Sequence, residues 1–205
     1  IPVGNTPGVL TEGTADLTLA LLLAAARKLP QASQDARAGR WTTWSPTGWL
    51  GADLQGATLG IIGMGKIGSA VARRAAAFGM KIIYSNPSPR SEIEYTSMAM
   101  RKSFEKVIAE SDFLSLHCPL TDETRGLIDA VALRAMKPNA ILINASRGPV
   151  VVRTDLEHAL REKWIAAAAL DVTDPEPLPA DDPLYDLPNC LIVPHIGSAT
   201  QHTRK

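Results

Sequence analysis

"GIIGMGKIGSA", residues 60–70, decides the fold. It carries Gly63-x-Gly65-x-x-Gly68 between an apolar run, "TLGII", and a helical stretch, "SAVARRAAAFG". In a phosphate-binding turn the first glycine permits the tight bend. The second lets the backbone approach a pyrophosphate, and the third lets the helix pack closely on the strand. The helix then offers free N–H groups and the positive end of its dipole to the phosphates. Glycine spacings of this kind recur by chance. The strand before and the helix after are the context that gives the pattern meaning. The turn places Gly63, Gly65, Lys66, Ile67 and Gly68 at a dinucleotide. A purely structural glycine turn is the plain alternative, and a methyltransferase loop, which holds a different nucleotide, is the chemical rival.

Outward from the turn, strands and helices alternate. After "TLGII" comes a helix over 66–78, the strand "KIIYS", the helix "FEKVIAE" and the strand "DFLSLH". The helix "DAVALRAM", the strand "AILINA" and a helix over 154–163 follow, and then the strands "AAAALDV" and "CLIVPH". Short unbroken apolar runs separated by helices mean strands covered on both faces, hence a parallel sheet. The expected fold is α/β, a doubly wound parallel sheet of the Rossmann type, with residues 1–205 as one dinucleotide-binding domain.

Upstream, "TEGTADLTLALLLAAARK" predicts a helix over residues 11–29. Thr11 or Thr14 would cap it, Arg27 and Lys28 would suit its negative end, and Pro30 would end it. Apolar side chains surround most of its circumference, so it is expected between domains or subunits. Residues 30–57 hold Trp41, Trp44 and Trp49, three of the four tryptophans. Such a segment is either an ordered loop whose rings seal the edge of the core or a subunit interface, where aromatics are enriched.

The 205 residues are 45% hydrophobic, and 21 basic residues balance 21 acidic ones. No broad basic surface for nucleic acid follows from that balance. The longest apolar stretch, residues 17–26, is too short to span a bilayer, and no signal peptide is visible. Cys118 and Cys190 lie far apart with no CxxC pattern, which suggests free thiols in a reducing, cytoplasmic setting. The abrupt first and last residues suggest a truncated chain.

Ligands in such sheets bind beyond the carboxyl ends of the strands. Those ends carry His117-Cys118-Pro119, Ser146-Arg147-Gly148, Asp171 with Glu176 soon after, and His195-Ile196-Gly197. An arginine fork suits a carboxylate. Histidine suits proton exchange near neutral pH. A glutamate beside a histidine fixes its tautomer and favours the protonated ring. With a nicotinamide, these are the parts that reduction of a 2-keto acid requires. Singly, Arg147 reads as a cap or ion pair, Glu176 as a loop carboxylate and His195 as a core histidine. Three at successive strand ends read as a site. His117 and Cys118 point to opposite faces of a strand and do not chelate one metal. His158 and His202 are assigned no role.

The chain resembles the D-isomer-specific 2-hydroxyacid dehydrogenases, nearest their glyoxylate/hydroxypyruvate and 2-ketogluconate reductase branch. The segments "NTPGVLTEGTADL", "HCPLTDETRGLI", "LINASRGPVV", "ALDVTDPEP" and "VPHIGSAT", together with the glycine turn, carry the resemblance over nearly the whole chain. It implies that Arg147 binds the substrate carboxylate and that Glu176 supports His195. It implies further that His195 exchanges the proton and that Asp171 holds the nicotinamide carboxamide. Thr14, Cys118, Pro119, Ala145 and Gly197 would line the cofactor. The resemblance also implies a second, substrate-binding domain largely absent from this chain, and a homodimer through the helix over 11–29. Corepressors that resemble this family keep the same fold and the same three site residues while acting as dinucleotide-sensing dimers. That is the alternative function.

The ribose end is read from "IIYSNPSPR", residues 82–90. NAD enzymes of this fold place an acid about 20 residues past the glycines, on the ribose hydroxyls. Asn86 stands there instead, with Ser85 and Ser88 as hydroxyl donors and Arg90 as a nearby cation. The expectation is NADP(H) in preference to NAD(H), against the plainer reading that Asn86 only shapes the turn before Pro87.

Overall fold

The computed structural model describes residues 8–201, 203 and 204; His202 lies outside the described residues. Seven strands form one sheet: β1 (Thr58–Ile62), β2 (Lys81–Ser85), β3 (Met100–Arg101), β4 (Phe113–Leu116), β5 (Ile141–Asn144), β6 (Ala167–Leu170) and β7 (Cys190–Ile192). Their order is β3-β2-β1-β4-β5-β6-β7, and every pair is parallel. The order reverses between β1 and β4, so the glycine turn after β1 sits at the switch point where such sheets bind ligands. In β1, Gly60 lies opposite Ile83 of β2 and Leu114 of β4.

All four residues of β4 and of β5 are buried. Successive side chains on a strand point to opposite faces, and each face has its own core. Leu114, Leu116 and Leu142 pack with α5 (Phe104–Glu110), α6 (Ala130–Ala135) and α7 (Arg153–Arg161). Phe113, Ile141 and Ile143 pack with α1 (Thr11–Ala26) and α3 (Lys66–Ala77). The doubly wound expectation holds, and two helical layers explain why the strands read as unbroken apolar runs.

The N-terminal region departs from the sequence reading in three ways. Helix α1 stops at Ala26, and Lys28 turns left-handed, with φ of 52°. A second helix, α2 (Leu29–Arg37), then begins with Pro30 in its first turn. Proline fits there because the first N–H groups of a helix have no partner to lose; it opens α2 rather than closing α1. Neither Thr11 nor Thr14 caps α1. Leu10 holds the cap position, and the Thr14 hydroxyl donates to its carbonyl at 2.9 Å. Among the described residues the three tryptophans do not seal the core edge: Trp41 is 74% exposed, Trp44 79% and Trp49 46%.

Helix α1 finds cover inside its own domain. Leu19 and Leu22 are buried on the sheet. On its outer side Arg74 of α3 bonds Asp16 and Glu12, each at 2.7 Å. Among the described residues no helix is long and apolar enough to cross a membrane.

Candidate active site

The glycine turn is built by steric need. Gly63 has φ of +94°, and a Cβ there would lie 2.5 Å from the backbone nitrogen of Cys118. A Cβ on Gly68 would lie 2.4 Å from the Gly63 carbonyl oxygen. Both sites admit only glycine, one for its bend and its contact with the end of β4, the other for the packing of α3 on the turn. Gly65 is different: a Cβ there would meet nothing within 4 Å. It faces a cleft of about 800 Å³ that Lys66, Ser69, Arg73, Arg90 and Ser91 also line, together with the carboxylates of Glu12 and Glu92. No side chain caps α3, whose N-cap is Gly65 itself. An uncapped helix start, an open glycine and three cations fit a dinucleotide pyrophosphate. The side chain of Ile67 packs against the core.

The ribose end of the cleft forms where β2 ends. The Ser85 carbonyl accepts from the Gly63 N–H at 3.1 Å. Asn86 Oδ1 accepts from the Met64 N–H at 3.1 Å, and its Nδ2 donates to the Ser88 carbonyl at 2.9 Å. Both polar ends of Asn86 thus bind the chain itself. The sequence shows nothing of this latch, because it joins two loops 22 residues apart.

Beyond β4, Cys118 is buried and burial pushes its thiol up. The Pro119 carbonyl accepts from the Thr124 hydroxyl at 2.6 Å, which fixes that turn. Burial drives the His117 ring down to about 4. Its Nε2 pairs with the Ser115 hydroxyl at 2.9 Å, and its enclosed Nδ1 has no partner among the described residues.

The ends of β5, β6 and β7 are neighbours, and each contributes one of the three expected groups. Ala145 is buried at the end of β5, and Arg147, on the loop after it, is exposed. Its Nη1 donates to the Ser146 carbonyl at 2.7 Å. The next residue, Gly148, packs so tightly that a Cβ would lie 1.8 Å from the Thr173 carbonyl oxygen. That contact joins the arginine loop to the loop bearing Glu176. Glu176 Oε1 meets His195 Nδ1 at 2.5 Å, and its Oε2 accepts from the Thr173 N–H at 3.4 Å. His195 has φ of +50°, which a non-glycine residue adopts only under local constraint. The constraint is visible: its N–H donates to the Asp171 carbonyl at 2.9 Å.

Asp171 is buried, and its carboxylate receives the N–H groups of Ile196 at 2.6 Å and Gly197 at 2.9 Å. Desolvation raises its carboxyl above the usual range, and the two N–H groups oppose that rise. A Cβ on Gly197 would press on Asp171 Oδ2 at 2.8 Å and on Thr14 at 3.4 Å. Thr14 and Gly197 thus meet over Asp171, and α1 closes this side of the site. Among the described residues no group of three or more His, Cys, Asp or Glu side chains is placed to hold a metal.

Residues 19–197 match the model of the D-isomer specific 2-hydroxyacid dehydrogenase, NAD binding domain. The chain belongs to that family. A nicotinamide dinucleotide is accordingly the cofactor that this 2-hydroxyacid dehydrogenase domain takes. Among its relatives is the glyoxylate reductase of Korarchaeum cryptofilum, 52% identical over 205 residues, which is all of this chain and 62% of that protein. The human glyoxylate reductase/hydroxypyruvate reductase is 47% identical, again over all of this chain and 62% of its own length. The crystal structure of TT0316 protein from Thermus thermophilus superposes with a TM-score of 0.94 at 52% identity, covering all of this chain and 64% of that one. The chain therefore spans less than two thirds of the relatives it matches.

Proposed function

We propose that the protein reduces a small 2-keto acid (glyoxylate, hydroxypyruvate or 2-ketogluconate) to the D-2-hydroxy acid. The observation that carries this reading is the 2.5 Å contact of His195 Nδ1 with Glu176 on the sheet edge that also presents Arg147. With Nδ1 held by a carboxylate, Nε2 is the ring nitrogen left to exchange a proton. Arg147 offers a planar fork to the substrate carboxylate. Asp171 anchors the backbone on which His195 stands. A bound nicotinamide would supply the hydride, and His195 would supply the proton to the oxygen that receives charge. In the reverse direction His195 accepts it.

The same reading makes NADPH the preferred cofactor, because a neutral Asn86 replaces a carboxylate that would repel a 2′-phosphate. It makes the protein a homodimer, because Trp41, Trp44, Trp49 and Leu50 stand exposed beside α2, and clustered exposed apolar side chains mark interaction surfaces. Its two free cysteines fit a cytoplasmic setting.

Assay of the full-length protein with glyoxylate, hydroxypyruvate and 2-ketogluconate, each with NADH and NADPH, tests the proposal. Turnover of at least one acid is expected. Dinucleotide binding with no turnover of any would favour the corepressor-like function instead.

A further inference from the structure

The turn between β2 and α4 (Ser91–Ser97) is fastened from below by residues outside the motif. Arg101, on the edge strand β3, donates from Nε to the Asn86 carbonyl at 3.1 Å and from Nη2 to the Pro87 carbonyl at 2.8 Å. Tyr84, fully buried, accepts from the Arg90 N–H at 2.9 Å and donates to Glu94 Oε1 at 2.5 Å. Asn86 spends both ends of its amide on Met64 and Ser88. In this arrangement one amide N–H of Asn86 is committed to Ser88 and the other is at most a neutral donor. Its neutrality removes a repulsion, and a cation must supply the charge attraction.

We propose that Arg101 is a specificity-determining residue for the 2′-phosphate of the cofactor, acting as a positioning cation beneath the turn. Two features of Arg101 bear on a phosphate beside the turn. Like Lys66 and Arg90 of the cleft, and unlike Arg73, which shares Glu12 at 3.7 Å, it pairs with no carboxylate among the described residues. It also engages two carbonyl oxygens, the groups of the turn that would otherwise set partial negative charge beside a phosphate. A charge-assisted pair of bonds holds the backbone of residues 86 and 87, and the positive charge stays uncompensated at the end of β2. Arg90, whose N–H is fixed by Tyr84 and whose side chain lines the cleft, completes the site. A cofactor lacking the 2′-phosphate gains little from either.

The inference rests on the NADPH preference proposed above, and one set of measurements separates the two. In the full-length protein, calorimetric affinities for adenosine 2′,5′-bisphosphate and for 5′-AMP are measured for wild type and Arg101→Met, alongside KM for NADPH and NADH. Losing a charge-assisted pair at a partly exposed site is expected to weaken the bisphosphate about five- to tenfold. Binding of 5′-AMP should stay within about twofold, and the ratio of KM for NADPH to KM for NADH should rise in parallel. Arg101→Lys, which keeps the charge and loses the two-point contact, serves if the Met variant does not fold, and should show a smaller loss in the same direction. Equal weakening of both nucleotides, or no change in either, overturns the role of Arg101. A wild type that favours NADH overturns the cofactor preference, and leaves Arg101 to be judged by its effect on the bisphosphate alone.

Discussion

His195 Nδ1 and Glu176 Oε1 lie 2.5 Å apart, although 19 residues and a strand separate them in the chain. The contact exists because β6 and β7 are parallel neighbours whose carboxyl ends open on the same edge. It leaves Nε2 as the ring nitrogen free to exchange a proton in the proposed reaction, and lets the fold set the tautomer.

His195→Asn is expected to lower the rate of keto acid reduction about a hundredfold or more, the usual loss when a positioned general acid is removed. Dinucleotide affinity should stay within a few-fold of wild type. Glu176→Gln should lower kcat less, because the ring remains while its orientation loosens. Near-normal turnover of the His195 variant would take the histidine out of the mechanism.

Arg147→Lys should be severely impaired, mainly as a higher KM for the keto acid. Lysine keeps the charge and loses the two parallel hydrogen bonds that match a carboxylate. Cofactor KM should not move. A specificity constant within a few-fold of wild type would exclude Arg147 as the carboxylate anchor.

Where the chain order and the spatial order share a physical cause, the sequence was sufficient. Strands β1 and β2 agree with their expected limits to the residue, because largely buried apolar runs have sharp borders, and so does helix α5, whose start the Ser103 hydroxyl caps. That Arg147, Glu176 and His195 would share one edge was legible from the order of the strands: in a parallel sheet, residues after successive strands lie on one side. Helix α2 was not, because a proline looks alike as a stop and as a first-turn residue. Strand β3 has two residues, and its place depends on hydrogen bonds to β2 that no local pattern encodes. Arg101 stayed invisible because its partners are backbone carbonyls 14 and 15 residues away.

Acidification should destabilise the domain before the carboxylates titrate. The His117 ring sits at about 4 in the fold because burial disfavours its charge, against about 6.5 unfolded. A folded value below the unfolded one gives stability that is complete above about pH 6.5 and is lost as the pH falls toward 4. Urea midpoints at pH 7.5, 6 and 5 should decline in that order in the full-length protein. His117→Gln, of similar length and uncharged, should flatten the slope over this window. An unchanged slope would mean that His117 is not the group being protonated.

The protein should be a homodimer through residues 11–50. Trp41 and Trp44 are more than 70% exposed, and a symmetric pairing is the commonest way to cover such a face. Light scattering at micromolar concentration should give twice the protomer mass, and Trp41→Ser with Trp44→Ser should shift it toward one. A monomeric wild type would reject this.

Asn86→Asp should turn the cofactor preference toward NADH. The substitution keeps an acceptor for the Met64 N–H, so the glycine turn stays latched. It loses the donor to Ser88 and sets a negative charge at the end of β2. That charge would accept hydrogen bonds from the ribose hydroxyls and repel a 2′-phosphate. Two unit charges about 4 Å apart near a protein surface interact by roughly 4 kcal/mol, so even a heavily screened fraction changes the ratio of specificity constants tenfold or more. Kinetics of the full-length wild type and variant with both cofactors decide it. Wild type should favour NADPH, and the variant NADH. Should the two proteins show the same NADPH/NADH ratio, residue 86 does not read the 2′ position, and discrimination lies with Arg90 and the backbone that Arg101 holds.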